Sequence, residues 1–284
     1  MSNLARFAPA APIFGDDDFR RFSEYFYRKT GMLFAENKRY FVDKRVLERI
    51  TSCGYLRFDD YLAHLKRDND EYQTLVNAMT VNETYFYREA YQLECMVKSM
   101  LPEIVTKLPP RRPLRIWSMP CSTGEEPYSI AFYLLEHWPQ VDDFEIEIVA
   151  SDIDTAVLER ARDGVYAERA LQYVPPATVR KFTVDAGGGL RRIVPALRES
   201  IKFTQANLMD VADDWLLRDF HIVFCRNLLI YFDDVSRREA ATAIYSAMAP
   251  GGFVCLGHSE SMSRISSLFR LRKFAEGIVY QKPA

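Results

Sequence analysis

Leu114-Arg-Ile-Trp-Ser-Met-Pro-Cys-Ser-Thr-Gly-Glu-Glu-Pro-Tyr-Ser129 is the stretch whose reading decides the fold. An apolar run (114–117) passes into a turn of small residues (118–129). A helix-like stretch follows from Tyr128 to His137, and a second apolar run, Ile146 to Ala150, ends in Ser151-Asp152-Ile153-Asp154. A strand, a tight turn, a helix and a second strand closed by an acid form the first half of a nucleotide-binding α/β sheet. The turn brings backbone N–H groups and a helix start towards the ligand. The acid ending the second strand can accept hydrogen bonds from both ribose hydroxyls.

The turn holds one glycine, Gly124, where a dinucleotide fingerprint would hold three, and Glu125 and Glu126 follow it at once. Two carboxylates repel a pyrophosphate, so a phosphate-bearing cofactor is disfavoured. A cationic cofactor with a ribose suits the turn better, and S-adenosylmethionine, with a sulfonium, an α-ammonium and no phosphate, is one. An ordinary βαβ crossover, with acids at a helix start where they are favourable anyway, fits this stretch equally well.

Working outward, helical spacing marks a small all-α domain over residues 13–79. Its stretches are Phe19 to Phe26 after Asp16-Asp17-Asp18, Glu36 to Cys53, Phe58 to Lys66 and Tyr72 to Met79. Between Phe19 and Arg67 stand twelve Lys and Arg against six Asp and Glu, recurring as pairs such as Lys38-Arg39 and Lys44-Arg45. This is either a docking face for an acidic partner or the solvated face of helices. Residues 80–113 read as a linker and a connecting helix near Ala90 to Lys107, stopped by Pro109-Pro110. The α/β domain is expected over 114–284, with a β-rich insertion at about 183–203. Further strands are expected at Ile201–Gln205, Phe220–Cys225 and Phe253–Gly257, a helix at Asp234–Ala249, and a terminal hairpin at 269–281.

Ligands of open α/β sheets bind beyond the carboxyl ends of the strands. The groups there are Ser118 to Glu126, Asp152, Asn207-Leu208, Arg226-Asn227 and His258 to Glu260, with Tyr231 five residues past the arginine. Tyr231 also suits a rim aromatic with its hydroxyl in water.

Composition narrows the class. The 284 residues carry 48% hydrophobic and 13% aromatic residues, as globular proteins do. A net charge of −2 gives no case for nucleic acid as a partner. Five scattered cysteines and four histidines show neither a disulfide framework nor metal-ligand spacing, so no metal is expected. No apolar run nears the ~20 residues of a membrane span, and residues 1–12 read as a disordered lead-in rather than a signal peptide, so a cytoplasmic location without membrane insertion is expected.

Three stretches together carry a resemblance: Asn82-Glu-Thr-Tyr-Phe-Tyr-Arg-Glu89, Ser122-Thr-Gly-Glu-Glu-Pro-Tyr-Ser129 and Phe224-Cys-Arg-Asn-Leu-Leu-Ile-Tyr-Phe232. With Ala150-Ser-Asp-Ile-Asp-Thr155 and Gly257-His-Ser-Glu260, they resemble the chemotaxis receptor glutamate methyltransferases of CheR type, over nearly the whole chain. The resemblance implies an all-α N-terminal domain and a Rossmann-like S-adenosylmethionine-dependent methyltransferase domain carrying a small β-subdomain insertion. It implies methylation of glutamate side chains on the cytoplasmic helical bundle of methyl-accepting chemoreceptors, with S-adenosyl-L-homocysteine as the cofactor product. By position it assigns cofactor contacts to Asn82, Thr84, Arg88, Glu126 (the methionyl ammonium), Asp152 (the ribose), Asn207 and Leu208 (the adenine), Arg226 and Asn227.

Tyr231 would sit by the methyl group, and Arg88 and Tyr231 are the catalytic candidates. Met119-Pro120 departs from the small residues usual in the family, and proline removes one N–H from the loop. In some relatives the β-insertion grips a receptor tail peptide, which makes such a peptide a candidate partner; a monomer is expected. The residues also suit a carboxyl methyltransferase acting on another protein or a small acid, and a non-catalytic S-adenosylmethionine-binding adaptor.

Overall fold

Strands buried on both sides read as unbroken apolar runs, and such runs build the centre of the sheet in the structure, a computed structural model that describes residues 14–210 and 216–284. The lead-in expected at residues 1–12 lies outside the described residues. The chain divides into two compact units, residues 1–80 and 81–284.

The first unit packs α1 (Asp16–Thr30), α2 (Arg39–Ser52), α3 (Phe58–Leu65) and α4 (Asn69–Met79) around an aromatic core. Phe22, Phe26, Val46, Ile50, Tyr61 and Leu75 are fully buried there. The i, i+4 spacing of Phe22 and Phe26 puts both rings on one face of α1, 5.7 Å apart and stacked. Gly31, in the left-handed region at φ 72°, ends the helix and donates its N–H to the Tyr27 carbonyl. An ion pair lies inside this unit: Arg49 meets both oxygens of Glu71 at 3.0 and 2.6 Å, and the Tyr61 hydroxyl donates to Glu71 at 2.8 Å.

The second unit begins with an extended segment and a helix in three turns of differing pitch: α5 (Ala90–Cys95), a π-turn (Met96–Met100) and α6 (Leu101–Val105). Leu93, Cys95, Met96, Met100 and Leu101 sit in the same core as the sheet. The connecting helix expected near Ala90 to Lys107 is present, and residues 81–105 belong to the α/β unit.

The main sheet contains β1 (Leu114–Ser118), β2 (Ile146–Asp152), β6 (Ile201–Gln205), β7 (Phe220–Cys225), β8 (Met248–Leu256), β9 (Arg270–Lys273) and β10 (Ile278–Gln281). Its order is β6-β2-β1-β7-β8-β10-β9, parallel from β6 to β8, with β10 antiparallel to both β8 and β9. The order reverses between β1 and β7, the switch point where such sheets bind ligands. Between these strands run α7 (Glu125–His137), α8 (Thr155–Asp163), α9 (Pro176–Phe182), α10 (Pro195–Ser200) and α11 (Asp234–Ala247), with a short α12 (Met262–Ile265) before the hairpin.

Two boundaries differ from the sequence reading. The insertion is a three-stranded antiparallel sheet of β3 (Val165–Ala167), β4 (Thr183–Gly187) and β5 (Leu190–Ile193) in the order β3-β5-β4. It starts at 165 rather than 183, because a three-residue strand leaves no readable alternation, and 201–203 belong to the main sheet. The helix expected to reach Ala249 stops at Ala247, and β8 starts at Met248. There the Lys282 ammonium bonds the carbonyls of Tyr245 and Met248 at 2.8 and 2.7 Å. A Cβ on Gly252 would come within 3.0 Å of three backbone oxygens, so only glycine lets the strand pass this bulge.

Candidate active site

The turn after β1 is fixed to both neighbouring strands by its backbone. Met119 N–H donates to the Phe224 carbonyl at 2.9 Å, and Cys121 N–H to the Ser151 carbonyl at 2.8 Å. Met119-Pro120 is a cis peptide. Ser122 N–H donates to Asp152 at 2.8 Å, and the other Asp152 oxygen accepts from Asp154 N–H at 3.0 Å. Asp152 is thus held rigidly at the end of β2, almost fully buried. Burial pushes its pKa up to about 6, partly offset by those N–H bonds. Gly124 sits at φ 95°, and a Cβ there would lie 2.8 Å from the Tyr166 hydroxyl, which bonds the Thr123 carbonyl at 2.7 Å. The single glycine of the turn therefore admits a tyrosine from the inserted sheet.

Across the switch point stands a charged cluster. Arg226, directly after β7 and 4% exposed in its side chain, pairs with Glu126 at 3.0 Å and with Glu89 at 3.3 Å, and donates to the Arg88 carbonyl at 2.6 Å. The second oxygen of Glu126 accepts from the Ser118 hydroxyl at 2.7 Å. Two carboxylates share one guanidinium, so with the His258 ring beside Glu89 uncharged the cluster is one positive charge short. Burial raises the pKa of Glu126, with Arg226 and Ser118 opposing. For Glu89 the burial penalty is outweighed by Arg226 and His258, and its pKa is lowered. The excess negative charge therefore weighs most on Glu126. The Nε of Arg226 and the hydroxyl of Ser122 are buried with no hydrogen-bond partner among the described residues. A missing cation and two orphaned polar atoms at the strand mouths are what a ribose-bearing, cationic ligand would satisfy.

The segment 82–89 runs past these strand ends and the start of α7 and is bonded along its length. Asn82 donates to Asp154 at 2.9 Å, Tyr87 N–H to Ser129 at 3.0 Å, and Glu89 accepts from His258 Nδ1 at 3.0 Å. Tyr87 and Glu89 have φ of 60° and 54°. Side chains in the left-handed region cost of order 1 kcal/mol each and persist only where neighbours over-determine them. The Arg88 guanidinium donates to the Glu83 carbonyl at 2.9 Å and lies 5.8 Å from the centre of the Tyr85 ring. Tyr231, half-buried, has its pKa raised by burial, with the positive charge of Arg88 pulling the other way. The charge of Arg88 thus bears on the Tyr231 hydroxyl.

The chain matches the family model described as CheR methyltransferase, SAM binding domain, over residues 82–278, and the one described as CheR methyltransferase, all-alpha domain, over residues 17–80. It belongs to the CheR methyltransferase family. It is 47% identical over 273 residues to a chemotaxis protein methyltransferase 2 of Vibrio cholerae, covering 95% of this chain and 94% of that one. To a chemotaxis protein methyltransferase 2 of Pseudomonas aeruginosa it is 37% identical, over 92% of this chain and 94% of that one. To a chemotaxis protein methyltransferase of Escherichia coli it is 34% identical, over 90% and 88%. The protein is an S-adenosylmethionine-dependent methyltransferase, and a Rossmann-like sheet with an all-α N-terminal domain is its fold.

As a CheR protein, it brings Arg88, Glu126, Arg226 and Tyr231 to one end of the sheet, with Asp152 beside them. Thr84 is half-buried on the threaded segment. Other expected residues make contacts within the chain. Asn82 is engaged with Asp154. Asn207 folds onto its own loop, meeting Asp210 at 2.9 Å and Met209 N–H at 3.1 Å. Leu208 is only 2% exposed. Arg226 is the hub of an internal ion-pair network. The Asn227 N–H is taken by Glu260.

Ser118, Ser122 and Glu260 lie within the strand-end groups named from sequence but carry no assigned role there, and Glu89 lies outside those groups. Glu89 closes the quoted Asn82 stretch and Glu260 the Gly257 stretch, but no periodicity marks a side chain whose partner lies about 140 or 30 residues away. Among the described residues no helix is long and apolar enough to cross a membrane.

Proposed function

We propose that the protein methylates glutamate side chains on the cytoplasmic helical bundle of chemoreceptors, giving methyl esters in chemotaxis adaptation. The observation that carries this reading is the charge-deficient cluster of Glu126, Arg226 and Glu89 at the switch point. The names of the similar proteins support the chemotaxis context.

Glu126 would hold the cofactor's α-ammonium, with Arg226 fixing the position of its carboxylate. Asp152 would accept the ribose hydroxyls. Asn82, Thr84, Asn207, Leu208 and Asn227 would complete the cofactor contacts, Asn82 through Asp154 and Leu208 through an adjustment of its loop. When bound, S-adenosylmethionine supplies a methyl group activated by a sulfonium. A glutamate side chain with a reference pKa near ~4.3 is ionised at neutral pH, so this chain needs no general base. Arg88 would neutralise and hold the incoming carboxylate. Burial keeps the Tyr231 hydroxyl protonated, so it can donate a hydrogen bond to that carboxylate and fix its approach. Orientation of this kind can contribute roughly 7–11 kcal/mol.

The basic pairs of the first unit are a docking surface for an acidic receptor helix in this reading, but not all of them are free to serve. Arg49 is committed to Glu71. Arg45 donates to the Ala78 carbonyl at 2.6 Å and lies over the Phe41 ring at 3.5 Å. Lys38 and Lys44 are exposed and better placed.

A labelled-methyl assay tests the function. Receptor cytoplasmic fragments should be methylated to base-labile esters, and fragments with the acceptor glutamates changed to alanine should not. Preference for a small acid or an unrelated protein would favour a different carboxyl methyltransferase. Cofactor binding with no turnover on any of these would favour an adaptor.

A further inference from the structure

The geometry points to Glu260 as a positioning residue for methyl transfer, clamping the turn that presents Tyr231; this rests on the role proposed above for Tyr231. The Glu260 carboxylate accepts three backbone N–H groups, none from a helix of its own. One oxygen takes Asn227 N–H and Gly257 N–H, each at 2.8 Å, and the other takes Leu229 N–H at 2.8 Å. Those donors lie on the turns after β7 and β8, so one side chain ties the two strand ends together. Charge-assisted bonds to a carboxylate are about twice as strong as neutral ones.

Two further observations show that the arrangement is built. Asn227 is held at φ 60°, a conformation that needs outside support in a non-glycine residue. A Cβ on Gly257 would lie 2.8 Å from both the Glu260 carboxylate and the Asn227 side-chain amide, so a side chain there would push the groups of the clamp aside. From Leu229 the chain makes a single 3₁₀ turn, with Tyr231 N–H donating to the Leu228 carbonyl at 3.1 Å, and Tyr231 is its last residue. The clamp on Asn227 and Leu229 therefore sets the direction of the Tyr231 ring. Arg226, Glu126 and Asp152 have their own partners and do not depend on it.

The separation defines the test. Glu260→Gln keeps the side chain's volume and one acceptor oxygen but turns the other end into a donor facing backbone N–H. It is expected to lower kcat on receptor fragments roughly ten- to hundredfold, the scale of a small misplacement of reacting groups, with KM and the S-adenosylhomocysteine Kd within about threefold of wild type. In a Tyr231→Phe background the same change should cost less than about threefold more, because two residues acting through one contact are not additive. Glu260→Asp, which retains the charge on a shorter arm, should recover part of the loss.

Wild-type kcat in Glu260→Gln would overturn the proposal. So would an equal loss in both backgrounds, or a loss of cofactor affinity in step with kcat. If Tyr231→Phe itself turns over like wild type, the assigned role of Tyr231 fails, and the clamp's role with it. Additive losses would remove the clamp alone and leave Tyr231 in place.

Discussion

Among the described residues, two arginine–carboxylate networks lie wholly or partly inside the fold, and they are built to different ends. In the first unit Arg49 faces one carboxylate, Glu71, whose remaining capacity is taken by the Tyr61 hydroxyl. Charges balance and every strong partner is internal. In the second unit Arg226 faces two carboxylates, leaves its Nε unpaired, and stands at the switch point of a parallel sheet. A balanced network stabilises a fold; one left a charge short, where the topology opens a crevice, is prepared for a ligand. The location of an ion pair alone does not separate structure from function, whereas its charge count and orphaned atoms do.

The largest expected contrast comes from truncating each arginine. Arg226→Ala strands two buried acids, and breaking such a pair costs roughly 3–5 kcal/mol of stability. It should also abolish measurable methylation, because Glu126 is no longer held. Arg49→Ala should lower stability by a comparable amount while the kcat of the remaining folded enzyme stays at the wild-type value. Denaturant titrations paired with single-turnover assays separate the two, and similar activity losses in both variants would erase the distinction.

Next in size, Arg88→Ala should reduce kcat on the order of a hundredfold, as loss of an orienting group does, with little change in S-adenosylhomocysteine affinity. Unchanged turnover would remove Arg88 from the chemistry.

The pH response is smaller and has a definite sign. Asp152 titrates at about 6, above its usual 3.8. Below that pH it carries a proton and can no longer accept both ribose hydroxyls. Affinity for S-adenosylhomocysteine should therefore fall by about tenfold between pH 7 and pH 5, with proton release on binding near pH 6. The raised pKa of Glu126 acts in the same direction. Because the folded pKa of Asp152 lies above the unfolded one, the same group favours the folded state on acidification from pH 6 towards 4, so a loss of affinity there is not a loss of fold. Calorimetry in buffers of differing ionisation heat measures both, and Asp152→Asn should flatten the profile.

The smallest effect is expected at the surface. Charge reversal at Lys38 and Lys44 should slow methylation of receptor fragments a few-fold at low salt and have no effect at high salt, where exposed charges are screened. A rate indifferent to salt would leave the basic face without a docking role.

The two regions also differ in how far they could be read from sequence. The apolar runs at 114–117, 146–150 and 220–225 declare buried parallel strands, and the strand ends identify the mouth, because sheet topology fixes where ligands bind. Side-chain commitment is not written locally. Arg45 and Arg49 look like surface cations because their partners, Ala78 and Glu71, lie on another helix. Glu89 and Glu260 look like solvated acids because the groups they hold belong to distant strand ends. The three-residue β3 and the bulged start of β8 escape for a similar reason: both are defined by their neighbours' backbones.

In the proposed reading the strand mouth is short of one positive charge, which the cofactor supplies. Glu126→Gln tests this most directly, since it leaves Arg226 balanced against Glu89 and converts the second network to the closed kind. Calorimetric titration with S-adenosylhomocysteine should show affinity reduced roughly ten- to hundredfold, the value of a hydrogen bond to a charged group, with thermal stability unchanged or higher. Wild-type affinity in Glu126→Gln would contradict the account.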